Sequence, residues 1–203
     1  MPKRVDHEER RQQIAEALWR IAAARGLEHA SLRDVAAEAG ISLGRLQHYF
    51  ASKGEMLVFA LDHISGLGEQ RILARINTLP ATPSPRTILR ECLAEMLPLD
   101  AESRAANLVQ IAYFVRAVHD ERLRRHAKEG IPALQALFAD QVRAGIERGE
   151  VAPERDPQAE ATLLIALTDG LTSFALLDVY APERALELID HHLDALFSGN
   201  RQP

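Results

Sequence analysis

The chain has 203 residues, 47% of them hydrophobic and 5% aromatic, with a formal net charge of −5. That supplies ample core for one domain or two small ones, while the acidic balance argues at first sight against nucleic acid as a partner. The single cysteine, Cys92, excludes an internal disulfide and fits a cytoplasmic setting. The start MPKRVDHEERRQQ has no apolar run behind its charges, so no signal peptide is expected. No apolar stretch approaches the length of a bilayer span, and no membrane partner is expected.

Ala and Leu dominate while Val and Ile are sparse, a helical balance throughout. The first predicted helix runs from Asp6 to Arg25, with Ile14, Leu18, Ile21 and Ala22 as its apolar stripe and Gly26 as its stop. Trp19 reads as a core or helix-contact residue. Arg10 and Arg11, near its start, can reach a phosphate or pair with Glu8 and Glu9 in solvent. Ser31 then caps Leu32 to Ala39, which Gly40 closes, and Ser42 caps Leu43 to Phe50. Within that second short helix Leu46 and Phe50 face inward, while Arg45, Gln47, His48 and Tyr49 face out. Two short helices joined by about four residues with a Gly make a helix-turn-helix unit. A helix that short is unstable alone and is useful when held rigidly against something such as a DNA major groove.

Ser52 and Glu55 have capping-box spacing and open a long helix to about Asn77, lined by Leu57, Leu61, Ile64, Leu67 and Ile72. At its full length of roughly 37 Å it is a rod able to transmit a tilt. Thr78 to Thr87 holds three prolines and is the clearest break. Further helices are predicted from Ser84 or Pro85 to Leu97, from Ala101 to His119 behind an Asp100 cap, and from Glu121 to Arg148 with a kink or break at Gly130 and Pro132. Asp156-Pro157 opens the next helix. Its run from Leu163 to Leu177 is apolar nearly all round, so it meets more than its own core. Pro182 opens the last. Two apolar helices at the end suggest a self-complementary homodimer face with C₂ symmetry.

The charge is unevenly distributed. Residues 1–60 hold nine Lys and Arg against eight Asp and Glu, the remainder fifteen against twenty-one, and no acid lies between Ser42 and Lys53. A locally basic reading head on an acidic body is compatible with sequence-specific DNA binding of strong salt dependence.

The residues Leu32-Arg33-Asp34-Val35-Ala36-Ala37-Glu38-Ala39-Gly40-Ile41-Ser42, then Gly44-Arg45-Leu46, His48-Tyr49-Phe50 and Ser52-Lys53 resemble the TetR family of transcriptional regulators. The body is more weakly similar to a BetI-like subgroup, through Leu97-Pro98-Leu99, Asp120-Glu121-Arg122-Leu123 and Asp169-Gly170-Leu171. The resemblance implies an all-α fold: a three-helix DNA-binding domain over residues 1–52 and a six-helix effector-binding and dimerisation domain over residues 53–203. It further implies that Arg45 contacts base edges and that Gly44 lets the backbone approach closely. Ser31, Arg33, Ser42, His48, Tyr49 and Lys53 would hold phosphates. Leu43 and Gln47 depart from the family pattern. Leu43 would suit a thymine methyl and Gln47 an adenine, which leaves the operator sequence open.

No catalytic constellation, phosphate loop or Cys/His ligand set is present in the sequence, so neither an enzyme, a cofactor nor a metal site is expected. Cys92 reads as a small buried hydrophobe. His191 and His192 are adjacent and diverge on a helix. The body does set polar groups among apolar ones: His63, Met96, Asn107, Gln110, Phe114, Asp169 and Ser173 are candidates to line a pocket for a small, largely apolar effector, with Thr172 nearby. Local back-bonding of Ser and Thr to the helix is the competing reading. The expected function is a homodimeric repressor on a pseudo-palindromic operator, released by its effector. An effector-independent regulator or activator, and an all-α carrier or enzyme using the body's cavity, stay open as alternatives.

Overall fold

The computed structural model describes residues 3–26, 30–79 and 82–199. Among them there are nine helices and no strand: α1 (Lys3–Arg25), α2 (Leu32–Glu38), α3 (Leu43–Tyr49), α4 (Lys53–Asn77), α5 (Pro85–Glu95), α6 (Ala101–Ala117), α7 (Glu121–Glu147), α8 (Pro157–Leu176) and α9 (Pro182–Leu196). The first helix begins three residues before the expected start. The others agree with the sequence reading to within about two residues at either end, with one exception in character. The helix α7 runs unbroken through Gly130 and Pro132, where a break or kink is expected from sequence. Proline removes one helical hydrogen bond, but buried residues hold the helix on both sides, Leu123 before it and Phe138 and Val142 after it.

The chain forms two compact units, and their division differs from the expected boundary at 52/53. The first comprises residues 1–68 and 104–127, the second residues 69–103 and 128–203. The boundary expected from sequence coincides with the cap of α4. The packing, however, keeps the first turns of α4 with α1 to α3 and adds nearly all of α6 and the start of α7 to them.

In the first unit Ile14, Leu18, Ile21, Leu46, Phe50, Met56 and Leu57 are almost wholly buried, and Val109, Tyr113 and Leu123 join the same core. Tyr113 satisfies its buried hydroxyl by donating to the Leu123 carbonyl at 2.7 Å, and burial pushes its pKa up. Gly54 is buried against Leu123, and the His126 imidazole lies 3.4 Å from the Asp62 carboxylate.

The second unit has its own core of Leu89, Leu93, Leu97, Phe138, Val142, Leu164, Ile189 and Leu193. Ser84 caps α5 with Pro85 at its first position, and Asp156 caps α8 in the same manner with Pro157. Around this core runs a chain of ion pairs. Arg90 grips Asp190 through Nε at 2.7 Å and Nη2 at 3.1 Å, and Arg86 meets Asp194 at 2.7 Å. Arg75 reaches Glu91 at 2.7 Å, and Arg71 pairs with Glu95. Each pair is partly solvated and worth little alone, but together they tie α5 to α9 and to the end of α4.

Cys92 is half-buried rather than fully buried, and burial pushes its thiol up to about 11, which keeps it protonated and unreactive at neutral pH. The α8 helix is 20 residues long and apolar enough to cross a bilayer, which corrects the expectation that no stretch has that length. Its reach includes Pro157 to Thr162, outside the apolar run. Its Ala161, Leu164 and Leu171 are buried in the second core, and Thr168 and Ala175 are buried too, as in the central helix of a folded domain.

Candidate nucleic-acid interface

The turn between α2 and α3 is specified residue by residue. Ser31 Oγ accepts the Asp34 amide at 3.2 Å and Asp34 accepts the Ser31 amide at 3.1 Å, a reciprocal capping box. The Ser31 hydroxyl also donates to the Asp34 carboxylate, and this bond, with that from the Ser31 amide, holds the Asp34 carboxyl below its ordinary pKa. At the other end Gly40 has φ +65°. The Ile41 amide donates to the Ala36 carbonyl at 2.9 Å and the Gly40 amide to Ala37 at 3.1 Å. That is a Schellman turn, whose left-handed position suits glycine. Ser42 Oγ then accepts the Arg45 amide at 3.2 Å and starts α3. Beyond α3, Ser52 Oγ accepts the Glu55 amide at 3.1 Å. The Glu55 carboxylate accepts the Ala51 amide at 2.8 Å, one residue further back than a capping box requires.

The seven-residue α3 is anchored by Leu46 and Phe50, both wholly buried, and turns its other side outward. Gly44, Arg45, Gln47 and His48 are exposed, while Leu43 and Tyr49 are half-buried. A side chain at Gly44 would meet nothing within 4 Å, so the backbone there is open to close approach. Ser31, Arg33 and Ser42 are exposed on the same unit, and Lys53 is half-buried at the start of α4. Arg20 binds Glu38 at 2.8 Å and so offsets the acid at the end of α2. All ten sequence-predicted DNA-contact residues thus lie in the first unit, and those on α3 are all its residues but the buried Leu46, with no carboxylate among them.

Two features were not legible in the sequence. The Arg11 guanidinium stacks 5.0 Å from the Phe50 ring centroid and 4.2 Å from that of Phe59, a cation–π clamp on the end of α3. Arg10 bonds Gln13. The expected alternatives, a phosphate contact or pairing with Glu8 and Glu9, therefore do not describe Arg11. His7 places its ring 4.8 Å from Tyr49 and 6.3 Å from His48. The helical spacing of His7 and Arg11 was visible, but nothing local shows that this face of α1 meets the end of α3.

The residues expected to line an effector pocket do not fall in one unit. His63, Asn107, Gln110 and Phe114 are half-buried in the first, whereas Met96, Asp169 and Ser173 belong to the second. Ser173 is exposed and donates to the Asp169 carbonyl at 2.9 Å, the back-bonding alternative. Thr172 is buried and donates to the Met96 carbonyl at 3.0 Å. Asp169 is exposed at the residue level, yet burial of its carboxyl pushes its pKa up. A cleft of about 220 Å³ in the second unit is lined by Arg75, Arg90, Glu91, Glu95, Asp100 and Leu186 among others, and includes none of those seven.

The apolar stripe of α9, Ala185, Ile189, Leu193 and Leu196, is buried in its own unit. On α8 the apolar surface is doubled: beyond the buried side, Leu163, Phe174 and Leu177 stand exposed, followed by Val179 and Tyr180. The ring of Phe174 packs edge-on against Tyr180 at 5.7 Å.

Residues 14–58 match the family model of bacterial regulatory proteins of the tetR family, and residues 85–198 match that of the BetI-type transcriptional repressor C-terminal domain. The regulator PksA of Bacillus subtilis is 34% identical over 97% of this chain and 94% of its own length. The regulator BetI of Burkholderia mallei is 27% identical over 98% of both. Among solved structures, a TetR-family transcriptional regulator from Rhodococcus superposes with TM-score 0.81 at 27% identity, covering 94% of this chain and all of that one. A transcriptional regulator from Saccharomonospora viridis, in complex with choline, gives 0.78 at 26% identity, covering 95% and 97%. The exposed face of α3, the caps that set it and these matches along almost the whole chain agree: the protein belongs to the TetR family of bacterial regulators, and is a DNA-binding transcriptional regulator rather than an enzyme.

Proposed function

We propose that the protein is a homodimeric repressor, working in the cytoplasm, which releases a pseudo-palindromic operator when a small effector binds its C-terminal part. The observation that carries this reading is the division of exposed surface. A carboxylate-free polar face on α3 suits a major groove, and an unused apolar face on α8 suits a second copy. Each protomer would place Leu43 to Tyr49 in a major groove. Arg45 would contact bases, and Ser31, Arg33, Ser42, His48, Tyr49 and Lys53 would hold phosphates. Leu43 and Gln47 would set the preferences particular to this chain. An effector would act only through different affinity for two states of the dimer. The single helix α4, which carries Lys53 at one end and residues of the second unit at the other, is the element through which such a difference would pass.

The test is a mobility shift on DNA flanking the protein's own gene. Arg45→Ala combined with Lys53→Ala should weaken binding by at least tenfold, since one bidentate Arg–guanine contact is worth about 1–3 kcal/mol. Equal binding by wild type and variant would overturn the assignment of α3. For the effector, choline and a panel of apolar compounds are screened by thermal shift. A compound that stabilises the protein and leaves operator affinity unchanged counts against induction.

A further inference from the structure

The geometry points to His7 as a further phosphate-binding residue, which extends the DNA contact from α3 onto α1. This rests on the reading of α3 as the helix that enters the groove, and it concerns a residue outside the matched family segment of residues 14–58. His7 is exposed, and its ring lies 4.8 Å from Tyr49 and 6.3 Å from His48; His48 and Tyr49 are themselves 5.6 Å apart, edge to face. Three rings therefore close a small triangle at the end of α3. Among the described residues none accepts a hydrogen bond from the His7 or His48 ring or from the Tyr49 hydroxyl. Each ring has a polar hydrogen to offer.

The same corner is rigid. Arg11, one turn along α1 from His7, is clamped over Phe50 and Phe59, and Phe50 is wholly buried. This holds the α1 face against the end of α3, so the three donors do not have to be ordered when a ligand arrives. Three neighbouring rings that each carry a polar hydrogen, beside an α3 with no carboxylate, suit an anionic oxygen. On a protein whose adjacent helix reads DNA, that oxygen is a backbone phosphate one step away from the bases read by Arg45. His7 reaches it from an element that a phosphate contact from α3 alone would not involve.

The experiment uses the full-length protein and the operator duplex that it enriches from a random-sequence pool. Single methylphosphonate linkages, which remove one phosphate charge at a time, are scanned across a half-site with wild type, His7→Ala, His7→Phe and Arg45→Ala. The expected result is one linkage whose replacement weakens wild type by about tenfold, the equivalent of one charge-assisted hydrogen bond. His7→Ala and His7→Phe should lose clearly less than wild type at that linkage, keeping only the part that His48 and Tyr49 supply. Identical scans for wild type and His7→Ala would overturn the inference. So would wild-type behaviour in His7→Phe alone, because a ring without a donor would then suffice and His7 would only pack Tyr49. Failure of the underlying reading is separately visible: Arg45→Ala would then bind the duplex as tightly as wild type.

Discussion

The helices α3 and α8 both leave a side uncovered, for opposite physical reasons. The α3 helix is seven residues long and could not persist alone. Two buried side chains, three serine caps around it and the Arg11 clamp hold it, and what it exposes is polar. The α8 helix is 20 residues long, is held by its own unit through Ala161, Leu164, Leu171 and Ala175, and exposes Leu163, Phe174 and Leu177. Exposed polar groups held rigid cost little in water and gain when they meet a hydrogen-bonding surface. Exposed apolar groups cost at once and gain by meeting their like. One helix offers a polar surface, the other an apolar one, and the proposed dimer would use the second.

The largest test of this contrast is to charge the α8 face. Phe174→Asp together with Leu177→Asp should convert a dimer to a monomer in sedimentation velocity and reduce operator binding by two orders of magnitude or more. The fold of each chain should stay intact, because both side chains are exposed. A dimer that survives these changes would remove α8 from the interface. A smaller effect separates the two cores. A Cβ on Gly145 in the second unit would lie 2.8 Å from both Phe197 and Val151, whereas one on Gly54 in the first would meet Leu123 at an ordinary 3.5 Å. Alanine in a helix gains about 1 kcal/mol over glycine. Gly54→Ala should therefore stabilise modestly. In Gly145→Ala the clash of about 1–3 kcal/mol should cancel or exceed that gain, and thermal melts of the pair give the signs.

Removing the cap with Ser31→Ala should cost about 1 kcal/mol and lower operator affinity with it, because α2 supports α3; melting and mobility shift on one preparation would show whether the two losses move together. The smallest effect is in pH. Asp34 is held low by Ser31, so its contribution is present above the unfolded carboxylate pKa and fades as pH falls through the lower folded value. Asp169 is held high by desolvation, so its contribution is present below the unfolded pKa and is lost as pH rises through the higher folded value. Acid stability curves of Asp34→Asn and Asp169→Asn should thus deviate from wild type in opposite directions. Deviations of the same sign would mean that one of these environments is misassigned.

Much of the first unit was legible because its signals are local. Ser31 and Asp34, Gly40, and Ser42 act within four residues of themselves, and the prolines opening α5, α8 and α9 do the same. What the sequence concealed is non-local. The division of α4, α6 and α7 between two units depends on which distant faces meet, as does the stacking of His7 and Arg11 on the end of α3. The apolar residues of α9 and the exposed ones of α8 look alike as composition; only packing separates those already used from those left over. The expected effector residues were chosen for polarity amid apolar neighbours, a pattern that back-bonded Ser173 and buried Thr172 produce without a ligand. Pro132 misled in the other direction, because a helix anchored on both sides tolerates one lost hydrogen bond.

That lost bond has a dynamic consequence. Pro132 carries no amide hydrogen to donate back along α7, and it sits close to where the helix passes from one compact unit to the other. The helix is continuous in shape, and its two parts belong to different compact units. Amide exchange should resolve it into two segments, with residues 121–127 opening together with the reading head and residues 133–147 together with the C-terminal core.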